Sequence, residues 1–171
     1  MTQPARLPQA PADAVEWVRS RWEDANEPSP EHFAAMAALF RTHQTVVSAI
    51  DTVLKPYELS RTAYLLLATL QISRDHTRPL GKLSKQLLVH PTTITMVCDQ
   101  LERRGLVARA PHPTDRRTIL ATLTPAGLEL VENANRSMGD ASFGLKGVSM
   151  QLAVTLTEIL RQVREKIGDI A

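Results

Sequence analysis

The segment from Leu80 to Pro125 constrains the fold more than any other part of this sequence. It begins with two stretches in which apolar residues recur at helical spacing, and the second of these stops at Gly105. Two runs of aliphatic and β-branched residues follow, separated by a tip of Pro, His, Thr, Asp and Arg. This order predicts a helix, a turn, a second helix and a β-hairpin, which is the pattern of a winged helix-turn-helix.

The second helix of this pair has clear start and stop signals. Pro91 suits the first position of a helix, and Gly105 suits its C-terminal cap. One face, which we expect to be buried, carries Ile94, Val97, Cys98 and Leu101. The first turn is rich in threonine, which costs about half a kcal/mol per residue relative to alanine. Threonine hydroxyls at a helix N-terminus can contact phosphates or base edges, although threonine-rich stretches also favour strands.

The two extended runs, Leu106–Arg109 and Thr118–Leu123, predict paired strands. The connection from Pro111 to Arg117 is turn-forming and basic. An arginine at such a tip can enter a narrow minor groove, where the potential of DNA is most negative. Because Asp115 alone would repel phosphate, we expect it to pair with Arg117 and fix the tip. An ordinary solvated hairpin is the alternative interpretation.

Positive charge is concentrated in this segment. Between Lys82 and Arg117, seven Lys and Arg residues stand against three Asp and Glu residues, which gives +4 where the whole chain carries +2. The remainder of the chain therefore sums to −2. A basic module on a mildly acidic body is typical of duplex DNA binding. A winged helix used for protein–protein assembly is the alternative, and a steep loss of binding with salt would favour the DNA reader.

Helical patterns flank this central segment on both sides. Before it, we predict helices over Ala12–Ala25, Pro30–Leu54 and Arg61–Ile72, followed by a polar loop over residues 73–79. After it, one helix starts at Pro125, and a last helix is capped by Ser149 beyond a break that contains several glycines. The proline-containing N-terminus, residues 1–11, is interpreted as a disordered arm.

Two of these helices carry long apolar seams with heptad-like spacing. The first seam consists of Phe33, Met36, Phe40, His43, Val47, Ile50 and Leu54. The second consists of Leu152, Leu156, Ile159, Val163 and Ile170. A small central domain cannot cover both seams, so we predict that they associate across a two-fold axis in a homodimer.

The predicted fold class is therefore mainly α with a small β-wing. Its winged helix-turn-helix core would occupy residues 59–124. The flanking regions, residues 12–58 and 125–171, would provide the dimerisation helices, and the first of them also provides one side of a possible ligand cleft.

Composition limits the remaining possibilities. A chain of 171 residues with 43% hydrophobic residues can bury one core and still form an oligomer interface. Its single cysteine, Cys98, excludes an internal disulfide and fits a reducing cytoplasm, and its inward position predicts an inert thiol. The N-terminus lacks the apolar run of a signal peptide or a membrane span. We find no catalytic constellation, phosphate-binding loop or metal-ligand cluster, and so expect no enzyme activity, no cofactor and no metal.

Three motifs occur in order and at specific spacing. They are Leu101-Glu102-Arg103-Arg104-Gly105-Leu106-Val107, then Pro113-Thr114-Asp115-Arg116-Arg117, and finally Leu123-Thr124-Pro125-Ala126-Gly127. Together they resemble the MarR family of bacterial transcription regulators, and the likeness extends from about Phe33 to the C-terminus. The resemblance implies a homodimeric repressor on double-stranded DNA with a palindromic operator, whose affinity for DNA a small organic ligand changes.

The resemblance also assigns roles to residues. It places Thr92, Thr93, Thr95 and Met96 against the major groove, and it places Arg117, oriented by Asp115, in the minor groove. The whole set of expected DNA contacts is Lys82, Lys85, Thr92, Thr93, Thr95, Met96, Arg103, His112, Asp115, Arg116 and Arg117. Two positions depart from the family pattern. Met96 stands where arginine is frequent, which weakens a phosphate contact or favours a thymine methyl. His90 stands where a small N-cap residue is usual.

A ligand cleft is expected between the dimerisation helices and the winged helix. Its candidate residues are Trp22, Arg41, His43, Asp51, Arg61 and Tyr64. Each of them also has a simpler explanation as a surface ion pair or a packed residue. A protein that binds or converts a small molecule in this cleft, without DNA, is a third interpretation. The lack of a reactive constellation disfavours it.

Overall fold

The computed structural model describes residues 13–115 and 117–169, and it confirms the expected fold class, mainly α with a small β-wing. The predicted disordered arm, residues 1–11, lies outside the described residues. The elements are α1 (Ala14–Asp24), α2 (Pro30–Leu54), α3 (Arg61–Gln71), β1 (Thr77–Pro79), α4 (Leu80–Gln86), α5 (Pro91–Arg103), β2 (Val107–Pro111), β3 (Ile119–Leu123), α6 (Pro125–Asp140) and α7 (Met150–Lys166). Within the described residues, no helix is long and apolar enough to cross a membrane.

The chain divides into two compact units, one ending at Val47 and one beginning at Ser48, so that α2 contributes residues to both. In the first unit, the indole of Trp22 on α1 stacks on the ring of Phe33 on α2, with 3.9 Å between ring centroids. The indole N–H also donates to the carbonyl of Pro28 at 2.9 Å, which fixes the link between the two helices. The apolar side chains of Trp17, Met36, Leu39 and Phe40 in this unit are exposed.

The core of the second unit forms around α3. This helix buries residues on most of its circumference, as its nearly continuous apolar sequence predicts. Side chains from α4, α5, the hairpin and α6 complete the cluster, which includes Leu66, Leu67, Leu70, Leu83, Ile94, Leu101, Val107, Ala121, Val131 and Met138. By contrast, every residue of α7 is at least partly exposed.

The small sheet has three antiparallel strands in the order β1-β3-β2. In the hairpin, Val107 pairs with Leu123 and Pro111 pairs with Ile119. The third strand was not expected, because residues 73–79 were predicted to be a polar loop. Instead, Thr77 pairs with Thr122, and their hydroxyl oxygens lie 2.9 Å apart. A three-residue strand that ends in Pro79 is too short and too polar to show strand periodicity.

The hairpin is joined to α6 at one crowded point. Thr124 caps α6, because its hydroxyl oxygen accepts from the backbone N–H of Gly127 at 3.0 Å. The same hydroxyl donates to the carbonyl of Gly105 at 2.7 Å. The backbone of Gly127 therefore lies against the backbone of Leu106, where a Cβ would overlap the Leu106 carbonyl oxygen and lie 2.9 Å from Leu123 Cδ1. This contact explains the spacing of the Leu-Thr-x-x-Gly motif.

Gly127→Ala is expected to destabilise the protein by about 3 kcal/mol, because rigid backbone has to move to admit the methyl group. Gly139→Ala, in the same helix, is the matched control. A Cβ there meets nothing within 4 Å, so we expect a gain of about 0.5–1 kcal/mol from helix propensity. Denaturant unfolding of both variants checks this prediction, and equal effects would contradict it.

Candidate nucleic-acid interface

Helix α5 presents one buried face and one open face. Its predicted inward residues, Ile94, Val97, Cys98 and Leu101, are all buried. Its start is fixed by His90, whose Nδ1 accepts from the backbone N–H of Thr92 at 3.3 Å, so the imidazole replaces the small capping residue. On the open face, the exposed residues after Pro91 are Thr92, Thr95, Met96, Gln100 and Arg103, whereas Thr93 is half-buried.

A groove of about 640 Å³ lies between α4, the N-terminal turn of α5 and the β2–β3 hairpin. It brings together six of the predicted DNA-contact residues, namely Lys82, Lys85, Thr95, His112, Asp115 and Arg117. Its lining also includes Gly81, Thr118 and Ile119, which the sequence did not single out, although Gly81 adjoins Lys82 and Thr118 adjoins Arg117. Thr92, Met96 and Arg103 lie on α5 outside this lining, and Arg116 lies outside the described residues.

The tip of the hairpin is held by Asp115. Its carboxylate accepts from the hydroxyl of Thr118 at 2.7 Å and from the backbone N–H of Arg117 at 3.1 Å. The Thr118 hydroxyl and then the Arg117 amide hold the pKa of the Asp115 carboxyl below its usual value, so it stays ionised near neutral pH. The expected pairing with the side chain of Arg117 is therefore replaced by a turn in which Asp115 binds the backbone. The guanidinium of Arg117 is exposed.

Arg109 connects the hairpin to α5. Its guanidinium donates to Glu102 Oε2 through Nε at 2.8 Å and through Nη2 at 2.6 Å, and it also pairs with Asp99. Glu102 Oε1 further accepts from the backbone N–H of Arg109 at 3.1 Å. The Arg109 side chain lowers the pKa of the Glu102 carboxyl, so the link is complete at neutral pH and weakens only as pH falls through that lowered value. The positive charge of Arg109 is therefore neutralised within the domain by Asp99 and Glu102.

Four of the six candidate ligand residues, Trp22, Asp51, Arg61 and Tyr64, have side-chain partners within their own units. Asp51 and Arg61 form an ion pair at 3.0 Å. The buried hydroxyl of Tyr64 donates to Asn135 Oδ1 at 2.8 Å, and burial raises the pKa of this phenol. Arg41 and His43 are exposed, and Trp22 is the indole that stacks on Phe33. Of the six candidates, the structure thus brings Asp51 and Arg61 together. The contacts of the candidate residues fit surface ion pairs and packed side chains as well as a ligand site.

Cys98 is buried, as predicted, and desolvation raises the pKa of its thiol to about 11. The thiol is therefore protonated and unreactive at neutral pH. Among residues 13–115 and 117–169, no three His, Cys, Asp or Glu side chains group closely enough to hold a metal ion.

The fold and this surface define the class of protein. A helix-turn-helix with an open recognition helix, a basic groove and an arginine-tipped hairpin is a winged helix-turn-helix of the DNA-binding type. The MarR family model matches residues 59–119, which cover the helix-turn-helix and most of the hairpin. Sco5413, a MarR family transcriptional regulator from Streptomyces coelicolor, is 35% identical over 82% of this chain and 97% of its own, with a TM-score of 0.75. The chain belongs to the MarR family.

Two further relatives agree with this assignment. The uncharacterised HTH-type transcriptional regulator YhbI of Bacillus subtilis is 29% identical, over 80% of this chain and 91% of the relative. BpsR of Bordetella bronchiseptica, whose DNA binding is regulated by 6-hydroxynicotinic acid, is 25% identical over 79% of this chain and 93% of its own, with a TM-score of 0.68. Family membership confirms the prediction of a DNA-binding transcription regulator that is not an enzyme.

Glu102→Gln tests whether the link through Arg109 positions the hairpin for DNA. The change removes one negative charge from the domain, so a pure charge effect would tighten DNA binding. We expect binding about fivefold weaker instead, because the bonds that fix the hairpin against α5 lose the charge of the carboxylate. Glu132→Gln, an exposed residue of α6, makes the same charge change without touching Arg109. Fluorescence anisotropy on duplex DNA measures both variants, and equal responses would contradict the positioning role.

Proposed function

We propose that this regulator is a homodimeric repressor that acts in the cytoplasm, binds a palindromic operator and is released by a small organic ligand. The groove between α4, α5 and the hairpin carries the proposal, because it gathers exposed cations, threonine and the hairpin arginine on one surface. That surface has the size and charge that duplex DNA requires, and α5, with 13 residues, is about 20 Å long.

The residues divide into base-reading and backbone-binding sets. Thr92, Thr93, Thr95 and Met96 at the N-terminal half of α5 would read base edges in the major groove. Lys82, Lys85 and Arg103 would bind phosphates, and His112 would contribute at the edge of the hairpin. Arg116 and Arg117 would enter the minor groove, with Asp115 fixing the backbone from which Arg117 projects.

Unpartnered apolar faces support a second copy of the chain. In the second unit, α7 exposes Leu152, Val154, Ile159 and Val163, an apolar face that a second copy of the chain would cover. In the first unit, Met36, Leu39 and Phe40 are exposed along α2. Met36, Phe40, Leu152, Ile159 and Val163 belong to the predicted seams, whereas Ile170 lies outside the described residues. A dimer would place two α5 helices on successive turns of one operator.

A ligand effect is supported by the relative BpsR, whose DNA binding responds to 6-hydroxynicotinic acid. We propose that a small organic anion binds the second unit near Asp51, Arg61 and Tyr64. Within the second unit, a direct contact path leads from the end of α2 to α5. Arg104, which follows α5, donates to the carbonyls of Glu58 at 2.7 Å and Tyr57 at 3.0 Å. A ligand that favours one position of this turn would therefore shift the position of α5.

Arg117→Ala is expected to weaken operator binding about tenfold per copy, because each arginine supplies a charge-assisted contact. Arg136→Ala, an exposed arginine of α6 that does not line the groove, is the control and should leave affinity unchanged. The operator comes from selection of bound genomic fragments. Light scattering should give twice the 18.9 kDa chain mass for both variants. An unchanged affinity for Arg117→Ala would contradict the hairpin assignment, and a monomer mass for the unaltered protein would contradict the dimer.

For the ligand, the first probe is 6-hydroxynicotinic acid, followed by other small aromatic carboxylates. A saturating probe should weaken operator binding between about 5- and 150-fold, which is the usual range of allosteric coupling. Operator DNA should weaken binding of the probe by the same factor, since coupling is reciprocal. 6-Hydroxynicotinamide, which carries a neutral amide in place of the carboxylate, is the matched control probe. If no carboxylate changes operator affinity or thermal stability, an organic-anion effector is contradicted while DNA binding is unaffected.

A further inference from the structure

The open face of α5 lacks the side chains that recognise G·C pairs. No Lys or Arg occurs between Pro91 and Glu102, so the first cation of the helix is Arg103, in its last turn. The commonest specific contact to guanine is a bidentate Arg or Lys on N7 and O6. Because the N-terminal residues of a recognition helix contact the base edges, α5 offers no such contact where bases are read.

The acidic residues that could read cytosine are also engaged. Asp99 and Glu102 both bind Arg109, and Glu102 makes two side-chain bonds to it at 2.6 and 2.8 Å. A carboxylate would have to accept from the cytosine amino group to recognise a C·G pair. Glu102 uses both carboxylate oxygens on Arg109 and Asp99 uses Oδ1, so turning either side chain toward a base would weaken the link to the arginine that joins α5 to the hairpin.

The remaining groups of this face suit A·T pairs. Met96 is 53% exposed although it is apolar, so its thioether side chain has little packing within the chain. The hydroxyl of Thr95 donates to the carbonyl of Pro91 at 3.0 Å, which engages its O–H donor and leaves its methyl group for apolar contact with a thymine methyl. Gln100 is exposed one turn after Met96, and a glutamine amide can bind adenine N6 and N7.

We infer that α5 reads a half-site core of A·T pairs and that Met96 determines this preference by packing against a thymine methyl group. This inference rests on the proposed docking of α5 in the major groove. It adds the base pairs that are read and the residue that selects them. Met96 and Thr95 lie on adjacent positions of the helix, so they would contact neighbouring base pairs, whereas Arg103 lies about 10 Å further along the axis.

The test removes the methyl group from the DNA and the thioether from the protein. Half-sites are first selected from randomised duplexes with the full-length protein. Each selected thymine is then replaced in turn by deoxyuridine, which lacks only the 5-methyl group. For the unaltered protein, we expect one position at which this replacement weakens binding about fourfold per half-site, the effect of one methyl removed from an apolar contact. For Met96→Ala, the same replacement should have no effect.

Two further variants keep the outcome interpretable. Met96→Leu retains apolar volume and should retain the deoxyuridine effect, whereas Met96→Arg should select a guanine at the same position. Because Met96 is exposed, all three variants should fold, which thermal unfolding checks. A selected core of G·C pairs, or an undiminished deoxyuridine effect in Met96→Ala, would overturn the inference alone. Binding without any preferred sequence would overturn it together with the proposed operator.

Discussion

The geometry of the DNA-binding surface depends on one ion-pair cluster, in which Arg109 of β2 binds Asp99 and Glu102 of α5. The cluster joins α5 and the hairpin, the two elements that would occupy different grooves of DNA under the proposed function. Its arginine side chain is 29% exposed, so water screens the pairs only in part. The cluster also engages one cation and two carboxylates of the winged helix-turn-helix. Fewer charged side chains of α5 are therefore available to contact bases.

A second set of contacts fixes the winged helix-turn-helix to the other elements of the second unit. Thr124 and Gly127 hold the start of α6 against Gly105 and Leu106, directly at the end of α5. On the other side, the hydroxyl of Tyr57 lies 2.6 Å from Ser137 Oγ of α6, and the carbonyl of Tyr57 accepts from Arg104. The turn after α2 is therefore bonded both to the end of the recognition helix and to α6, so it cannot move without affecting both.

The sequence was sufficient to predict most of the fold, because most of the helices carry cap residues and a periodic apolar face. Ser149 caps the last helix as predicted, and strand boundaries differ by at most two residues. The third strand was missed, since three residues ending in Pro79 cannot show a period. The partners of Arg109 and Asp115 were also missed. Both sets of partners depend on side-chain geometry at the hairpin, which the sequence does not show. The total positive charge of the segment includes Arg109, although its guanidinium is bound to Asp99 and Glu102 and is not available to DNA.

The difference between total and available charge explains how a chain of net charge +2 can still be suited to DNA. Affinity for phosphate depends on exposed cations, and Lys82, Lys85, Arg103 and Arg117 are all exposed around the groove and the open face of α5. A few such contacts per copy give only modest affinity, but two linked copies multiply their contributions. Under the proposed function, a regulator with few cations depends on its dimer for useful affinity. In that case a ligand that changes only the spacing of the two copies would release it without touching any DNA contact.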